Sequence, residues 1–303
     1  MSLLLGPPGN EPPSYAYASH AATVEVLSHG SHDNLPVAPL RGSEDSDAIL
    51  DDIVRREGLL GPGSDPARVD NALAYAARWG NVDVFTLLLA RSTRRGREKA
   101  LIAAASFGQM ASVERLLAGG VNVHAETDKP LRFAARYGHE AVVAKLIAAG
   151  ATINAADGYA LHAAAFNGHA AVVRRLLAAR ANVRLGEDKA FLGAAAGGHV
   201  AIMGLLLEAG ANVHTRNDEA IRVAAHDGNV AVIDALIAAR ADVNTLKDQA
   251  LRAAARNGHA AAVARLLEAG ANAHAENDEA LWYAMHNQHA DVVDVLRSHA
   301  QAH

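Results

Sequence analysis

The sequence predicts an all-α solenoid of stacked helical repeats, and three observations carry that reading. Gly138, Gly168, Gly198, Gly228 and Gly258 stand thirty residues apart, with Gln288 in the next slot. Gly150, Gly210 and Gly270 keep the same interval, with Arg180 and Arg240 between them. Each interval also holds two short apolar stripes at helical spacing. A period of this length marks a stacked array, in which each unit buries its apolar face only against its neighbours.

Residues 1–64 read as an acidic, Pro-rich N-terminal arm, with nine acidic and three basic side chains and an irregular start at Pro7, Pro8, Pro12 and Pro13. Tyr15–Gly30 loosely echoes a second-helix pattern ending in glycine, as a decayed repeat would. Asp47 begins a predicted helix through Glu57, whose face of Ile49, Leu50, Ile53 and Val54 suits the exposed end of an array. Residues 65–303 form the array proper. It opens at Asp65-Pro66, a capping carboxylate followed by proline at the first helical position. Its eight units run over about 65–97, 98–127, 128–157, 158–187, 188–217, 218–247, 248–277 and 278–303. The first joint is irregular, because Gly80 and Gly108 are 28 residues apart, and it carries Arg91, Arg94, Arg95, Arg97 and Lys99. In the last unit Arg297 replaces the apolar Leu267 of the unit before, as a final solvent-facing helix requires.

Asp218–Lys247 illustrates one unit. Asp218 is the expected N-cap, its carboxylate accepting from first-turn amides, with Glu219 favourable at the positive helix end. Ile221, Ala224 and Ala225 then share one face. Asp227-Gly228 ends the helix, since glycine takes positive φ without a Cβ clash. A second helix follows with Val232, Ile233, Leu236 and Ile237 on one stripe, and a polar turn from Asp242 to Lys247 leads to the next copy. Neither helix is long enough to be stable alone. Paired alanines at 134/135, 164/165, 194/195, 224/225 and 254/255 allow close approach where helices stack.

The run Leu161-His162-Ala163-Ala164-Ala165-Phe166-Asn167-Gly168-His169, followed by Val172-Val173 and Leu176-Leu177, resembles the core motif of the ankyrin repeat family. Ala211-Asn212-Val213 closes another unit in the same style, and the resemblance covers about residues 65–303. The Thr-Pro that opens the family's first helix is replaced here by Asp-x-Ala or a close variant. The unit is also 30 residues rather than 33, which shortens the protruding hairpin and argues against binding through long fingers. The resemblance implies a protein-interaction module without intrinsic catalysis.

Composition narrows the remaining classes. There is no cysteine, hence no disulfide or thiolate metal site, which fits a reducing compartment. Met1–Asn10 lacks the basic flank and apolar run of a signal peptide, and no stretch approaches the roughly 20 apolar residues that span a bilayer. An intracellular, cytoplasmic location is therefore expected, with no secretion and no membrane partner. The array holds 24 acidic and 25 basic side chains, without the basic footprint of a nucleic-acid binder. Sixteen histidines raise a metal hypothesis, but the Gly-His series sets successive rings about 10 Å apart, one helix packing distance. Zinc ligands lie about 2.0–2.1 Å from the metal. Those histidines instead suit hydrogen bonds to backbone near the second-helix start. No nucleophile elbow, phosphate loop or dinucleotide fingerprint is present, so no enzyme, cofactor or small-molecule substrate is expected.

The sharpest candidate site is a row formed by the two positions before each repeat glycine. It reads Arg78/Trp79, Ser106/Phe107, Arg136/Tyr137, Phe166/Asn167, Ala196/Gly197, His226/Asp227, Arg256/Asn257 and His286/Asn287. In the family's geometry these positions face the concave side. Trp79, Phe107, Tyr137 and Phe166, flanked by Arg78 and Arg136, have the composition of a binding hot spot. The expectation is a scaffold that holds another protein on that face. Two other readings remain open, a structural subunit of a large assembly tethered by the arm and an adaptor recruiting targets to an enzyme.

Overall fold

The computed structural model describes residue 61 and residues 63–302. The predicted helix over 47–57 and the echo at Tyr15–Gly30 lie outside the described residues. Those described contain sixteen helices in eight antiparallel pairs and no strand. The pairs are α1 (Pro66–Trp79) with α2 (Val82–Leu89), α3 (Arg94–Ser106) with α4 (Met110–Ala118), α5 (Ala125–Arg136) with α6 (Glu140–Ala148), and α7 (Ala155–Phe166) with α8 (Ala170–Ala178). They continue as α9 (Leu185–Ala196) with α10 (Val200–Glu208), α11 (Thr215–His226) with α12 (Val230–Ala238), α13 (Thr245–Arg256) with α14 (Ala260–Glu268), and α15 (Ala275–His286) with α16 (Ala290–Ala302). First helices stack on first helices and second on second, so the array has two layers with one apolar seam between them.

The repeat sequence explains that seam. In α11, Ile221, Ala224 and Ala225 are buried, and in α12 so are Val232, Ile233 and Leu236. Both members of every alanine pair named above are buried, which is what lets adjacent first helices approach. Each first helix ends on a residue of positive φ, usually glycine, and the following amide returns to the helix, as Asn229 does to the Ala224 carbonyl at 2.8 Å. Arg180 and Arg240 adopt the same left-handed conformation at the end of their second helices, with φ of 64° and 65°. Asp65 caps α1 as expected, accepting from the Ala67 amide at 2.9 Å. The basic joint is largely helical. Arg94–Lys99 lie within α3, which Thr93 caps, and the Arg97 guanidinium folds back onto Ser92.

The expected role of Asp218 needs correction. Arg216, Asn217 and Asp218 all have left-handed backbone, φ 50–55°, so the right-handed helix begins only after them. Six repeats share this three-residue left-handed turn, at 126–128, 156–158, 186–188, 216–218, 246–248 and 276–278. The Asp218 carboxylate does not cap its own helix; it accepts from the Asp242 amide in the turn that closes the same unit, at 3.0 Å. Asp128, Asp188 and Asp248 bind the amides of Thr152, Asn212 and Asn272 in the same way. Gly158 has no carboxylate, and there Asn154 accepts from Asn182 instead.

Left-handed backbone costs a non-glycine residue about 1–2 kcal/mol. The carboxylate–amide bonds offset part of this, as do Arg132, Arg222 and Arg252, whose guanidiniums donate to the Glu126, Arg216 and Leu246 carbonyls within the turns. Asp218→Ala is expected to cost about 1–3 kcal/mol, because the part-buried bond of a carboxylate to the Asp242 amide is lost. Asp278→Ala in the last repeat, where the side chain is 55% exposed against 5% for Asp218, should cost much less. Equal losses in urea unfolding would mean that the bond to the closing turn is not what the buried carboxylate contributes.

Candidate functional site

The repeat histidines are committed to the scaffold. Nε2 of His139, His169, His199, His259 and His289 donates to the carbonyls of Ser106, Arg136, Phe166, His226 and Arg256, at 2.9–3.1 Å. The acceptor is backbone, as expected, but it belongs to the first-helix end of the preceding repeat. Each ring therefore satisfies an orphan helix carbonyl across an interface. It also occupies the space over the preceding glycine, for a Cβ on Gly138 would lie 2.6 Å from His169 Nδ1. With one ring nitrogen bonded across each interface, the ladder joins repeats and does not gather around a metal. Thermal melts with and without a strong chelator are expected to coincide; a drop of more than a few degrees would reveal a missed metal site.

The same helix ends carry the predicted row. Trp79, Phe107, Tyr137 and Phe166 terminate or follow α1, α3, α5 and α7 and are 36%, 42%, 43% and 36% exposed. The Trp79 and Phe107 ring centres are 6.2 Å apart. Arg78 lies over both rings, 4.2 Å from the Phe107 centre and 5.2 Å from that of Trp79. Its Nε is shielded from solvent without a hydrogen-bond partner. Arg136 stands over Tyr137 at 5.7 Å and donates to the Tyr159 hydroxyl at 3.4 Å. Arg78, Trp79 and Phe107 thus form one cluster, and Arg136, Tyr137 and Tyr159 a second.

The row is wider than its two predicted columns. Phe133 meets Tyr137 edge-on at 6.2 Å, and Tyr159, His162 and Phe166 follow one another at 6.3–6.4 Å. Helical spacing of three or four residues before each predicted ring was the signal for these neighbours. His162 is half-buried, and its Nδ1–H donates to the Lys189 carbonyl. Burial pushes its pKa down, partly opposed by that hydrogen bond, so a neutral ring sits among the aromatics at neutral pH.

The C-terminal half of the row differs. Ala196 and Gly197 are small, whereas His226, Asp227, Arg256 and Asn257 are exposed and polar. A notch of about 480 Å³ opens there, lined by His226, Gln249, Arg252, Ala253, Arg256, Asn257 and Tyr283. In the last repeat Trp282 stacks on His286 at 4.9 Å and packs edge-on against Tyr283. Trp282 and Met285 are 56% and 54% exposed. Two columns of the row do not contain Trp282 or Tyr283, and only the stack of helices brings these rings beside it.

Paired helices stacked at a fixed period, without strands among the described residues, define a helical-repeat solenoid. A family model for ankyrin repeats matches three times, over residues 73–157, 131–217 and 221–303, and the chain belongs to that family. Its structure is similar to the crystal structure of the human ASB11 ankyrin repeat domain, at 27% identity and a TM-score of 0.58. That alignment covers 66% of this chain and 96% of the other. A comparison with curated proteins found no match. Ankyrin repeats generally mediate protein–protein interactions, and the family is generally non-enzymatic. No helix among the described residues is long and apolar enough to cross a membrane.

Proposed function

We propose that this chain is a non-catalytic scaffold that holds another protein on its concave face, with Trp79, Phe107, Tyr137 and Phe166 as anchors and Arg78 and Arg136 beside them. The observation that carries this reading is a run of four part-exposed rings on successive first-helix ends, three of them under an arginine. Aromatic side chains and arginine dominate interface energetics, because they bury large area with few rotamers to immobilise. The rings are exposed enough to be covered by a partner and are held in place by their neighbours. The middle of the row, with Ala196 and Gly197, offers little area of its own.

The test begins with a partner recovered on the full chain and identified by mass spectrometry, whose affinity is then measured by calorimetry. Trp79→Ala and Tyr137→Ala are each expected to cost at least about 2 kcal/mol of binding while the melting curve moves little. His226→Ala and Asn257→Ala should cost much less. Binding that survives the double substitution but is lost on deleting residues 1–40 would replace this reading with the tethered subunit. Unfolding of the double variant would place the rings in the core.

A further inference from the structure

The notch at the C-terminal half of the row contains no acidic lining residue, although two arginines line it. These two arginines are not equivalent. Arg252 is engaged by the Glu279 carboxylate and by the Leu246 and Lys247 carbonyls. Arg256 lies 5.2 Å over the Tyr283 ring and makes no ion pair among the described residues. Two carboxylates beside the lining residues are already engaged, Glu279 with Arg252 and the Tyr283 hydroxyl, and Asp227 with His226 Nδ1 at 2.8 Å. Burial, followed by the effect of Glu279 beside it, holds the Tyr283 phenol above its usual pKa, so the ring under Arg256 stays neutral. Gln249 adds an amide whose oxygen is taken by Arg222, leaving its nitrogen as a donor. Asn257 instead spends its amide nitrogen on the His226 carbonyl.

We propose that this notch receives an aspartate or glutamate side chain of the partner, gripped by Arg256 and assisted by the Gln249 amide. The proposal rests on the binding face described under Proposed function and names the chemistry that face selects. A guanidinium stacked on an aromatic ring keeps its planar fork for a carboxylate, which it binds through two parallel hydrogen bonds. The notch continues the line of the aromatic row, so one segment can engage both. Tyr137 and Arg256 are four repeats apart, about 35–40 Å at the usual helix packing distance. An extended chain covers that in about 11–12 residues. The complementary partner segment therefore carries an apolar or aromatic anchor at one end and an acidic residue about a dozen positions away.

Random 16-residue peptides displayed on phage and selected on the full chain supply the probe, resynthesised with a fluorescent label. The selected peptides are expected to pair an apolar residue with Asp or Glu at about that separation. Replacing the acid by Asn should weaken binding about tenfold or more on the native chain, as loss of a charged hydrogen bond does. On Arg256→Gln the two peptides should bind alike, and Arg256→Lys should fall between. Arg256 is exposed, so the variants should melt like the native chain. Trp79→Ala with Tyr137→Ala should weaken both peptides equally.

Peptides that depend on Trp79 and Tyr137 but show no acid preference, or one indifferent to Arg256→Gln, overturn this inference and leave the binding face intact. Peptides indifferent to Trp79 and Tyr137, or no selected peptide at all, overturn both. A phosphoserine in place of the acid that binds tenfold tighter would make the notch a phosphopeptide site and overturn the carboxylate assignment.

Discussion

Leu206→Ala is expected to destabilise the array by about 2–5 kcal/mol in urea unfolding. Leu206 lies in α10, the second helix of the fifth pair, and has no exposed surface. Its side chain sits in the seam between the layers, where truncation removes transfer energy and leaves a cavity that backbones already in close contact cannot collapse to fill. Position along the array adds to the effect. A central repeat holds an interface on each side, so loosening it weakens the coupling of both halves, whereas a terminal repeat has one neighbour. Leu236, equally buried one repeat later, should behave alike. No measurable loss at either position would mean that the helix faces are misassigned.

Gly138→Ala is expected to cost about 2–3 kcal/mol, and Gly150→Ala about 1–2 kcal/mol, with both variants followed by thermal and urea melts. Both glycines have positive φ, 80° and 92°, so both substitutions carry the left-handed penalty of about 1–2 kcal/mol. They differ in what a new Cβ meets. At Gly150 nothing lies within 4 Å, whereas at Gly138 the Cβ would push the His169 ring away from the Arg136 carbonyl. Losing that bond adds about 1 kcal/mol. The chain contains its own comparison, since Gln288 occupies the same slot with φ 63°, and Gly198 meets Asn229 in place of a histidine. Equal costs at 138 and 150 would show that glycine is required there by φ alone.

The helices, their pairing, the buried faces and the family were legible in the sequence. Each depends on local spacing: apolar residues three and four apart define a face, and a strict thirty-residue interval defines a stack. The exposed rings at 79, 107, 137 and 166 were legible for the same reason, since the repeat assigns every copy of a position to one place. Contacts between residues far apart in sequence were not legible. Asp218 looked like a cap for its own helix, because capping is what an aspartate before an apolar stripe does in an isolated segment. Only the folded helix pair brings in the Asp242 amide 24 residues away, and only the left-handed turn presents the carboxylate to it. The periodic Gly-His pair likewise read as a local dipeptide, whereas Gly108, Gly138, Gly168, Gly228 and Gly258 make room for the histidine of the following repeat. The notch at Arg256 belongs to this second kind. Its lining comes from three consecutive first helices, so the sequence determined each donor and the stacking of the repeats decided that they face one opening.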